Sequence, residues 1–437
     1  MAEVAARTRE PVIGPVLRTL RPIIYLTAFL WRRLLFRTTF IGVTGSLGKT
    51  TAKECLGTIL ASQYLTYRTR LNQNAPLGVA LNILHVRPWH RFAVIEAATG
   101  QPGMMRSSAR MLRPDVVVVL NLKRTHTTAF RTLAEHAAEK ERLVRAVRPG
   151  GLAVLNADDT RVASLADGKK LRVTTFGTNE GCDVVVARVA GTWPERLSFE
   201  VRSGLETLAV RTRLVGVHWV NSALAALATA HALGFRMADG VEALHAVEPF
   251  PGRCQPARVP SGAIFLRDDY NSSIDSISPS LSVLRDAEAE RRVLVMTDVS
   301  DLGVNRRGRL RHLAPEICAS ADSAVIIGEA AEFGKRRLVE AGMAPENVHA
   351  FDDLQPAAEF LRSELRDGDL VLLKGRTTDH VARVFFAQLG GVRCWKPYCR
   401  KTILCDHCPD LGTPPEQQRR ASLVSLPQRT GEVTRLP

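Results

Sequence analysis

Aromatic residues are scarce in this chain of 437 residues, at 6% of the sequence. Proteins that bind single-stranded nucleic acid stack the bases on aromatic side chains interleaved with basic ones. No such stripe is visible here, which argues against a basic, cysteine-containing module for nucleic acid. We therefore expect no nucleic-acid partner.

The apolar run near the N-terminus is short. Residues 22–31 (PIIYLTAFLW) number ten, whereas a helix needs about 20 apolar residues to span a bilayer. Arginines surround the run, at positions 18, 21, 32, 33 and 37. This pattern suits a helix that lies on an anionic membrane surface, and it equally suits a helix packed against the first domain. The sequence leaves both interpretations open.

No cleavable signal peptide is evident, which predicts a cytoplasmic protein, with peripheral contact at the inner membrane face as an open alternative. A reducing compartment would keep Cys55, Cys182, Cys254 and Cys318 as free thiols. The chain has 59 Lys and Arg residues against 44 Asp and Glu residues, a net charge of +15. Such an excess suits an anionic partner, such as a nucleotide, an acidic substrate or an anionic membrane.

Four further cysteines crowd near the C-terminus, at Cys394, Cys399, Cys405 and Cys408. Only the last two have the two-residue spacing that is common among zinc ligands, and His407 lies between them. The cluster favours a structural Zn²⁺ site formed by the four cysteines. Redox-active thiols and plain buried cysteines are the alternatives.

The segment TGSLGKTTAKE, residues 44–54, has the features of a phosphate-binding loop. A strand-like run precedes it and a helical pattern of apolar residues follows, as such a loop requires. Backbone N–H groups from Gly45 to Lys49 can bind phosphate oxygens, and the Thr50 hydroxyl can bind Mg²⁺. Val43 stands where the strict motif has its first glycine, which indicates a variant of the motif.

Polar side chains follow three other predicted strands. Glu96 follows the strand at 92–95, Asn121 and His126 follow the one at 116–120, and Asn156 and Asp158 follow the one at 152–155. The spacing between strands allows crossovers, so the sheet is predicted to be parallel. Ligands bind at the carboxyl ends of strands in such sheets, which places these residues on the same rim as the phosphate loop.

The expected fold class is α/β: a P-loop ATPase domain with a parallel sheet and a small antiparallel β segment, then a Rossmann-like C-terminal domain. Residues 170–214 predict antiparallel hairpins, and strands of the second domain are predicted at 264–266, 293–296, 324–327 and 370–373. The predicted divisions are residues 1–38 (basic amphipathic segment), 39–248 (ATP-binding domain), 249–392 (C-terminal domain), 393–410 (cysteine-rich segment) and 411–437 (disordered tail).

Together the motifs resemble those of the Mur ligases, the ATP-dependent amide-forming enzymes of peptidoglycan synthesis. The likeness covers roughly residues 39–385 and is greatest to the branch that joins a UDP-linked muramyl tripeptide to D-alanyl-D-alanine. Matching stretches include LNQNAPLGVALNIL (71–84), HAAEKERL (136–143), NADD (156–159), GVHWVNSALAALA (216–228), DDYNSSIDS (268–276), TDVSDLG (297–303) and GDLVLLKG (368–375). Each motif is weak alone, but the series is specific.

The resemblance implies that ATP phosphorylates a carboxylate and that an amine then attacks the acyl phosphate. It implies catalytic roles for Lys49, Glu96, His126 and Lys140, with Thr50, Glu96 and His126 serving Mg²⁺. Lys140 matches a lysine that many members carry as a carbamate, an anion able to face Mg²⁺. The resemblance also implies a set of ATP-binding residues: Gly45, Ser46, Gly48, Lys49, Thr50, Thr51, Asn221 near the adenine, Asp268 at the ribose and Arg253 at a phosphate.

Two departures from the family pattern concern the substrates. The residues before the phosphate loop leave no room for the domain with which peptidoglycan ligases bind the UDP-sugar. The carboxylate substrate is then expected to differ from the usual one, or to be held by a partner protein. In addition, Arg376 follows Lys374-Gly375 where the family usually has serine, so the resemblance does not extend to the second-substrate pocket at this position.

The leading hypothesis is an ATP- and Mg²⁺-dependent carboxylate–amine ligase that uses an amino acid or a dipeptide and makes a cell-envelope or peptide-like product. One alternative is a genuine muramyl-tripeptide ligase whose donor site is supplied by a partner. Another is a non-catalytic nucleotide-binding scaffold. The joint presence of Lys49, Thr50, Glu96, His126 and Lys140 counts against the scaffold.

Overall fold

The chain forms two α/β halves, each built on its own β-sheet. A computed structural model describes residues 15–71, 73–123, 130, 132–297, 299, 306–396, 399 and 404–412. Within these residues, the N-terminal half holds a nine-stranded sheet and the C-terminal half a six-stranded one. The predicted α/β class is confirmed.

The nine-stranded sheet has the order β2-β3-β1-β4-β5-β6-β7-β8-β9. Its strands are β1 (Thr39–Thr44), β2 (Thr66–Arg68), β3 (Phe92–Glu96), β4 (Val116–Val119), β5 (Leu152–Asn156), β6 (Arg172–Gly177), β7 (Val184–Ala190), β8 (Ser198–Ser203) and β9 (Glu206–Arg211). Strand β1 pairs in parallel with β3 and β4, and Val43 is in register with Glu96. This pairing brings the carboxyl ends of three strands together beside the phosphate loop.

The hairpin prediction for residues 170–214 is wrong for β6. Residues 172–176 of this strand pair in parallel with β5, and its last two residues pair in parallel with the first two of β7. Because β7 starts beside the point where β6 ends, a short connection suffices and no long crossover is needed. Only β7, β8 and β9 pair antiparallel, and they continue the main sheet.

Helices cover both faces of this sheet, because alternate residues of each strand point to opposite sides. The helices are α1 (Pro15–Leu34), α2 (Lys49–Ala61), α3 (Pro76–His85), α4 (Met104–Leu112), α5 (Leu133–Arg145), α6 (Thr160–Ala163), α7 (Val220–Ala232) and α8 (Met237–His245). Ile41 and Val43 of β1 pack with α2 and α7 on one face, whereas Phe40 packs with α3 and α4 on the other. None of the helices in the described ranges is long and apolar enough to cross a membrane.

The six-stranded sheet has the order β10-β11-β15-β12-β13-β14. Its strands are β10 (Gln255–Arg258), β11 (Ile264–Asp268), β12 (Arg291–Met296), β13 (Ser323–Ile327), β14 (Val348–Phe351) and β15 (Asp369–Lys374), and its helices are α9 (Ile274–Arg285), α10 (Arg306–Ser320), α11 (Ala331–Glu340), α12 (Leu354–Glu364) and α13 (Ala382–Leu389). All pairs are parallel except β10 with β11. The four predicted strands are present, and β10 and β14 were not predicted.

Leu411 and Gly412 are the described residues of the predicted tail. Leu411 is buried in the core of the C-terminal half, and its carbonyl accepts a hydrogen bond from the Arg393 backbone. Residues 413–437 lie outside the described ranges.

Candidate active site

The phosphate loop, residues 44–50, joins β1 to α2. Gly48 has φ +82°, a left-handed conformation that side chains disfavour. A Cβ at this position would lie 2.5 Å from the Ser222 hydroxyl oxygen of α7, which donates a hydrogen bond to the Gly48 carbonyl. Glycine is therefore required both by the backbone and by the close approach of α7. Asn221, the predicted adenine contact, is the neighbour of Ser222 at the start of that helix.

Asn121 holds the loop in shape. Its side-chain oxygen accepts hydrogen bonds from the backbone N–H groups of Ser46 (3.1 Å) and Leu47 (2.9 Å). Its side-chain nitrogen donates to the Leu47 carbonyl. Asn121 follows β4, so the predicted placement of this residue on the rim explains its contact with the loop.

Lys49 lies over the loop, with Nζ donating to the carbonyls of Gly45 and Ser46 at 2.9 Å each. Burial lowers the pKa of Lys49 to about 8, with Glu96 opposing this shift and Arg253 adding to it. A lysine that is partly desolvated and next to another cation is stabilised by an anion such as a phosphate.

Thr50 and Glu96 present two oxygen atoms side by side. The Thr50 hydroxyl donates to Glu96 Oε2 at 3.1 Å, and both residues are buried. Asn74 Nδ2 donates to the other carboxylate oxygen at 2.7 Å, and the Glu96 backbone donates to the Thr69 hydroxyl. Adjacent ligands of an octahedral Mg²⁺ ion lie about 3 Å apart, because its metal–oxygen distances are about 2.1 Å. This pair therefore fits Mg²⁺.

Lys140 is buried on α5 and faces the same region. Its Nζ lies 3.1 Å from Nε2 of His136, one helical turn earlier, and His136 stacks on Phe130 with 4.9 Å between ring centroids. Burial lowers the pKa of Lys140 well below its usual value; the charge of Lys49 adds to this and that of Glu139 opposes it. Lys140 is therefore a buried amine near the lysine of the phosphate loop. His126, the other predicted ligand, lies outside the described residues.

The C-terminal half contributes Arg253 and Tyr270 to the site. The Arg253 guanidinium stacks over the Tyr270 ring, 4.1 Å from the ring centroid. Burial raises the pKa of the Tyr270 hydroxyl, and the nearby negative charge of Glu96 raises it further. Arg253 Nε and the Tyr270 hydroxyl are buried and have no hydrogen-bond partner among the described residues. Such atoms are expected where a ligand supplies the missing partner.

Asp268 lies at the end of β11, beside Lys374 at the end of β15. The Lys374 ammonium forms a buried ion pair with Asp268 and also donates to Ser280 Oγ at 3.1 Å. The carboxylate is thus already bound within the C-terminal half, and its predicted contact with a ribose stays a prediction.

Sequence reasoning missed three residues of this site: His136, Asn74 and Tyr270. A signal was present for His136, since it precedes Lys140 by four residues on a predicted helix and the two must share a face. Asn74 and Tyr270 both lie in stretches that match the family, but nothing in their local sequence marks Asn74 as a hydrogen-bond partner of Glu96 or Tyr270 as a residue near it.

The zinc site predicted for the cysteine-rich segment stays a prediction. Among the described residues, no group of three or more His, Cys, Asp or Glu side chains is placed to hold a metal ion. Cys405 is buried instead with its sulfur 3.4 Å from His380 Nδ1. The segment is held by Asp406, which accepts two hydrogen bonds from the buried Arg267 guanidinium at 2.6 and 3.0 Å.

Comparisons with known proteins match both halves of the chain. A family model described as the Mur ligase middle domain matches residues 43–230, and one described as the Mur ligase glutamate ligase domain matches residues 252–377. A similar relative is the UDP-N-acetylmuramoyl-tripeptide–D-alanyl-D-alanine ligase of Treponema pallidum, 27% identical over 77% of this chain and 71% of the relative.

Two solved structures share the fold. A crystal structure of MurF from Acinetobacter baumannii superposes with a TM-score of 0.76 at 27% identity, covering 84% of this chain and 79% of the other. The MurF ligase of Thermotoga maritima, solved in complex with ADP, gives a TM-score of 0.73 at 22% identity, covering 89% and 86%.

The chain belongs to the Mur ligase family. Members of this family are ATP-dependent ligases that form amide bonds in cell-wall synthesis, and the predictions of family and enzyme class are confirmed. The roles of individual site residues rest on the geometry described above.

Proposed function

We propose that this member of the Mur ligase family phosphorylates a substrate carboxylate with ATP and then joins the acyl group to an amine. One observation carries the proposal. The Thr50–Glu96 oxygen pair, the Lys49 ammonium and the buried Lys140 amine surround one region, which Arg253 and Tyr270 of the C-terminal half also face. Such a convergence of cations and oxygen ligands suits a phosphoryl group in transfer.

The reaction consists of two balanced steps. A carboxylate oxygen attacks the γ-phosphorus of ATP, the bond between that phosphorus and the bridging oxygen breaks, and ADP leaves. The amine nitrogen then attacks the carbonyl carbon of the acyl phosphate. It loses a proton, the carbon–oxygen bond to the phosphate breaks, and inorganic phosphate leaves with the amide formed.

The phosphate loop would bind the β- and γ-phosphates of ATP. The N–H groups of Ser46 and Leu47 already donate to Asn121, so those at the start of α2 are proposed to bind the phosphate oxygens, where the helix dipole also favours an anion. The residues proposed to hold the nucleotide are Gly45, Ser46, Gly48, Lys49, Thr50, Thr51, Asn221, Arg253 and Asp268. On phosphate binding, Lys49 would exchange the two loop carbonyls for phosphate oxygens, which stabilises its charged form.

Thr50 and Glu96 would hold Mg²⁺, with His126 as a further proposed ligand. Bound there, the ion would neutralise charge on the phosphoryl oxygens. Asn74 keeps the Glu96 carboxylate oriented by its hydrogen bond of 2.7 Å, so the metal-binding oxygens are positioned before the ion arrives.

We also propose that Lys140 carries a carbamate. An unprotonated amine attacks CO₂, forms a carbon–nitrogen bond and releases one proton. Lys140 suits this reaction because it is buried and its ammonium form is disfavoured by desolvation and by Lys49. His136 Nε2 at 3.1 Å would hold the modified nitrogen in place. The product is an anion that can approach Mg²⁺, which an ammonium cannot.

The substrates are proposed by class. The amine would be an amino acid or a dipeptide, and the carboxylate would belong to a peptide-like precursor of the cell envelope. D-Alanyl-D-alanine and UDP-N-acetylmuramoyl-tripeptide are the first pair to try, because the similar relatives are named for them. The second arrangement to test is a partner protein that holds the carboxylate donor. We propose that the reaction takes place in the cytoplasm.

The test measures phosphate release and amide mass with purified protein, Mg·ATP, and panels of carboxylates and amines. Release that needs both a carboxylate and an amine, and that is lost in Lys49→Ala, supports the ligase. Lys170→Ala changes an exposed lysine and serves as the matched control. The non-catalytic scaffold would be supported instead by ATP binding that depends on Lys49 together with no turnover of any carboxylate–amine pair, whether or not lysate is added.

A further inference from the structure

The outward face of α1 is apolar. Leu20, Ile23, Leu26, Leu30 and Leu34 have exposed fractions between 41% and 66%. They recur every three or four residues and therefore line one face of the helix. Single exposed apolar side chains are ordinary on protein surfaces, whereas a continuous stripe indicates a surface that binds something. We call these five residues the apolar stripe.

The inward face of α1 holds a buried arginine, which fixes the orientation of the helix. Arg32 Nε donates to the Leu112 carbonyl at 2.8 Å, and Nη2 donates to Asp115 at 3.1 Å. Its guanidinium also stacks over the Phe40 ring at 4.1 Å. Rotating the helix to bury the stripe would break these contacts and separate the buried Arg32–Asp115 ion pair, which is costly although Asp115 would keep Arg148 and the Phe40 N–H. The structure therefore presents the stripe to the outside.

A loop with an exposed tryptophan adjoins the C-terminal end of α1. Trp31 donates to the Val86 carbonyl at 3.0 Å, and Arg91 donates to the Arg37 carbonyl at 3.2 Å, so this loop is tied to the helix end. Trp89 within it is 66% exposed. Tryptophan is enriched where proteins meet the interface between lipid and water.

Charge is segregated around the stripe. Between Glu10 and Asp115 the sequence has twelve arginines but only two acidic residues, Glu54 and Glu96, and Glu96 is buried in the active site. Helices α3 and α4, which pack against α1, contain no acidic residue. The Arg33 and Arg110 guanidinium groups both lie near the Phe29 ring of α1. Among the described residues of α1, α3 and α4, the charged side chains around the stripe are therefore all basic.

We propose that the outward face of α1 binds an anionic lipid bilayer. The stripe would enter the acyl boundary and the arginines would contact the lipid phosphates, as for amphipathic helices that lie in the membrane plane. A second copy of the chain is a poorer occupant, because a symmetric contact through this face would bring two arginine-rich surfaces together. The two sequence interpretations of this segment are then compatible: α1 packs against the domain with one face and meets the membrane with the other.

Co-sedimentation of the full chain with vesicles tests the proposal. Vesicles that contain equal amounts of phosphatidylglycerol and phosphatidylcholine should bind the protein, and binding should weaken at high salt because charge contributes. Vesicles of phosphatidylcholine alone should bind it much less. Lys49→Ala should bind the anionic vesicles like the unchanged protein, which separates this test from the proposed ligase chemistry. Failure of the unchanged protein to bind the anionic vesicles would overturn the proposal.

Two variants address the stripe and the charge separately. The triple change Ile23→Ser, Leu26→Ser and Leu30→Ser should weaken partitioning on the order of a hundredfold or more, from the lost burial of three large apolar side chains. Changing Arg37 and Arg91 to Gln leaves the apolar stripe unchanged. It should weaken binding to the anionic vesicles and make that binding less sensitive to salt. Leu205→Ser, on the fully exposed turn after β8, is the matched control and should change nothing.

Sedimentation velocity shows whether the outward face of α1 binds a second copy of the chain instead of a membrane. The proposal requires the triple variant to lose vesicle binding while keeping the oligomeric state and melting temperature of the unchanged protein. A triple variant that shifts from dimer to monomer and still binds vesicles like the unchanged protein would assign the face to self-association and contradict the proposal.

Discussion

The Thr50 hydroxyl donates a hydrogen bond of 3.1 Å to Glu96 Oε2, which links the first turn of α2 to the carboxyl end of β3. The contact depends on strand order, because β3 lies directly beside β1 and Val43 is in register with Glu96. The two oxygen atoms of the proposed Mg²⁺ site, 46 residues apart in sequence, are therefore adjacent in space.

Glu96→Gln should abolish most activity and leave the fold intact. The side chain keeps its size and one carbonyl oxygen for Thr50, but the negative charge that favours Mg²⁺ is lost. We expect kcat to fall on the order of 10²–10³-fold and the Mg²⁺ concentration for half-activity to rise. Steady-state kinetics across a Mg²⁺ series measures both. Glu141→Gln on the surface of α5 is the control, and equal effects of the two changes would contradict the role of Glu96.

Lys140→Arg should inactivate the enzyme although arginine is the usual conservative replacement for lysine. A guanidinium stays protonated and does not form a carbamate. Removing CO₂ and bicarbonate should lower the activity of the unchanged protein reversibly, and intact mass should show an added CO₂ on gentle ionisation. A Lys140→Arg enzyme of normal activity would remove the basis for the carbamate. Lys170→Arg, at an exposed position, is the control.

Gly48→Ala should weaken ATP binding by two separable effects. The φ of +82° strains any side chain, typically by about 1–2 kcal/mol, and the new Cβ would also meet the Ser222 hydroxyl at 2.5 Å. Isothermal titration with ATP and Mg²⁺ should show a loss of ATP affinity larger than backbone strain alone would cause. Adding the Ser222→Gly change should recover part of that affinity. Gly168→Ala, at φ +69° in open space, measures the strain alone through the melting temperature.

Stability of the C-terminal half should fall in acid through Asp406. Burial alone would raise the pKa of this carboxyl, but the charge and hydrogen bonds of Arg267 lower it below its ordinary value. A carboxyl whose pKa is lower in the folded than in the unfolded state stabilises the fold above the unfolded pKa, about 3.9. That stabilisation is lost as the pH falls through the folded pKa.

Asp406→Asn should therefore lower the free energy of unfolding by about 3–5 kcal/mol near neutral pH, because it leaves a buried guanidinium without one of its charged partners. The dependence of that energy on pH below 4 should become shallower. Urea unfolding at several pH values provides the measurement. Asp410→Asn removes an exposed carboxylate 3.8 Å from Lys396 and should cost under about 1 kcal/mol. An unchanged acid profile in Asp406→Asn would contradict this account.

Local patterns were sufficient to predict the phosphate loop and most strands. Residues 92–95, 116–120 and 370–373 are short apolar runs bounded by polar residues, which suits buried parallel strands, and they fold as predicted. Strand β6 was misassigned because its alternating pattern also fits a hairpin, and its parallel partner β5 is known only from the tertiary fold.

The long-range contacts of the site were not predictable from local sequence. Nothing near Arg32 indicates that this arginine is buried against Asp115, 83 residues away, and the stripe on the other side of α1 follows from that contact. The pairing of Arg267 with Asp406 spans 139 residues and ties the cysteine-rich segment to β11. Both ion pairs depend on which elements pack together, which one sequence does not show.

The most direct test of the central claim follows oxygen from the carboxylate. A substrate pair that supports turnover is used with ¹⁸O in both carboxylate oxygens, and the released phosphate is analysed by mass spectrometry. An acyl-phosphate route predicts ADP and one ¹⁸O atom in each phosphate, with the other in the amide. Unlabelled phosphate, or AMP in place of ADP, would show that the carboxylate is not activated by transfer of the γ-phosphoryl group.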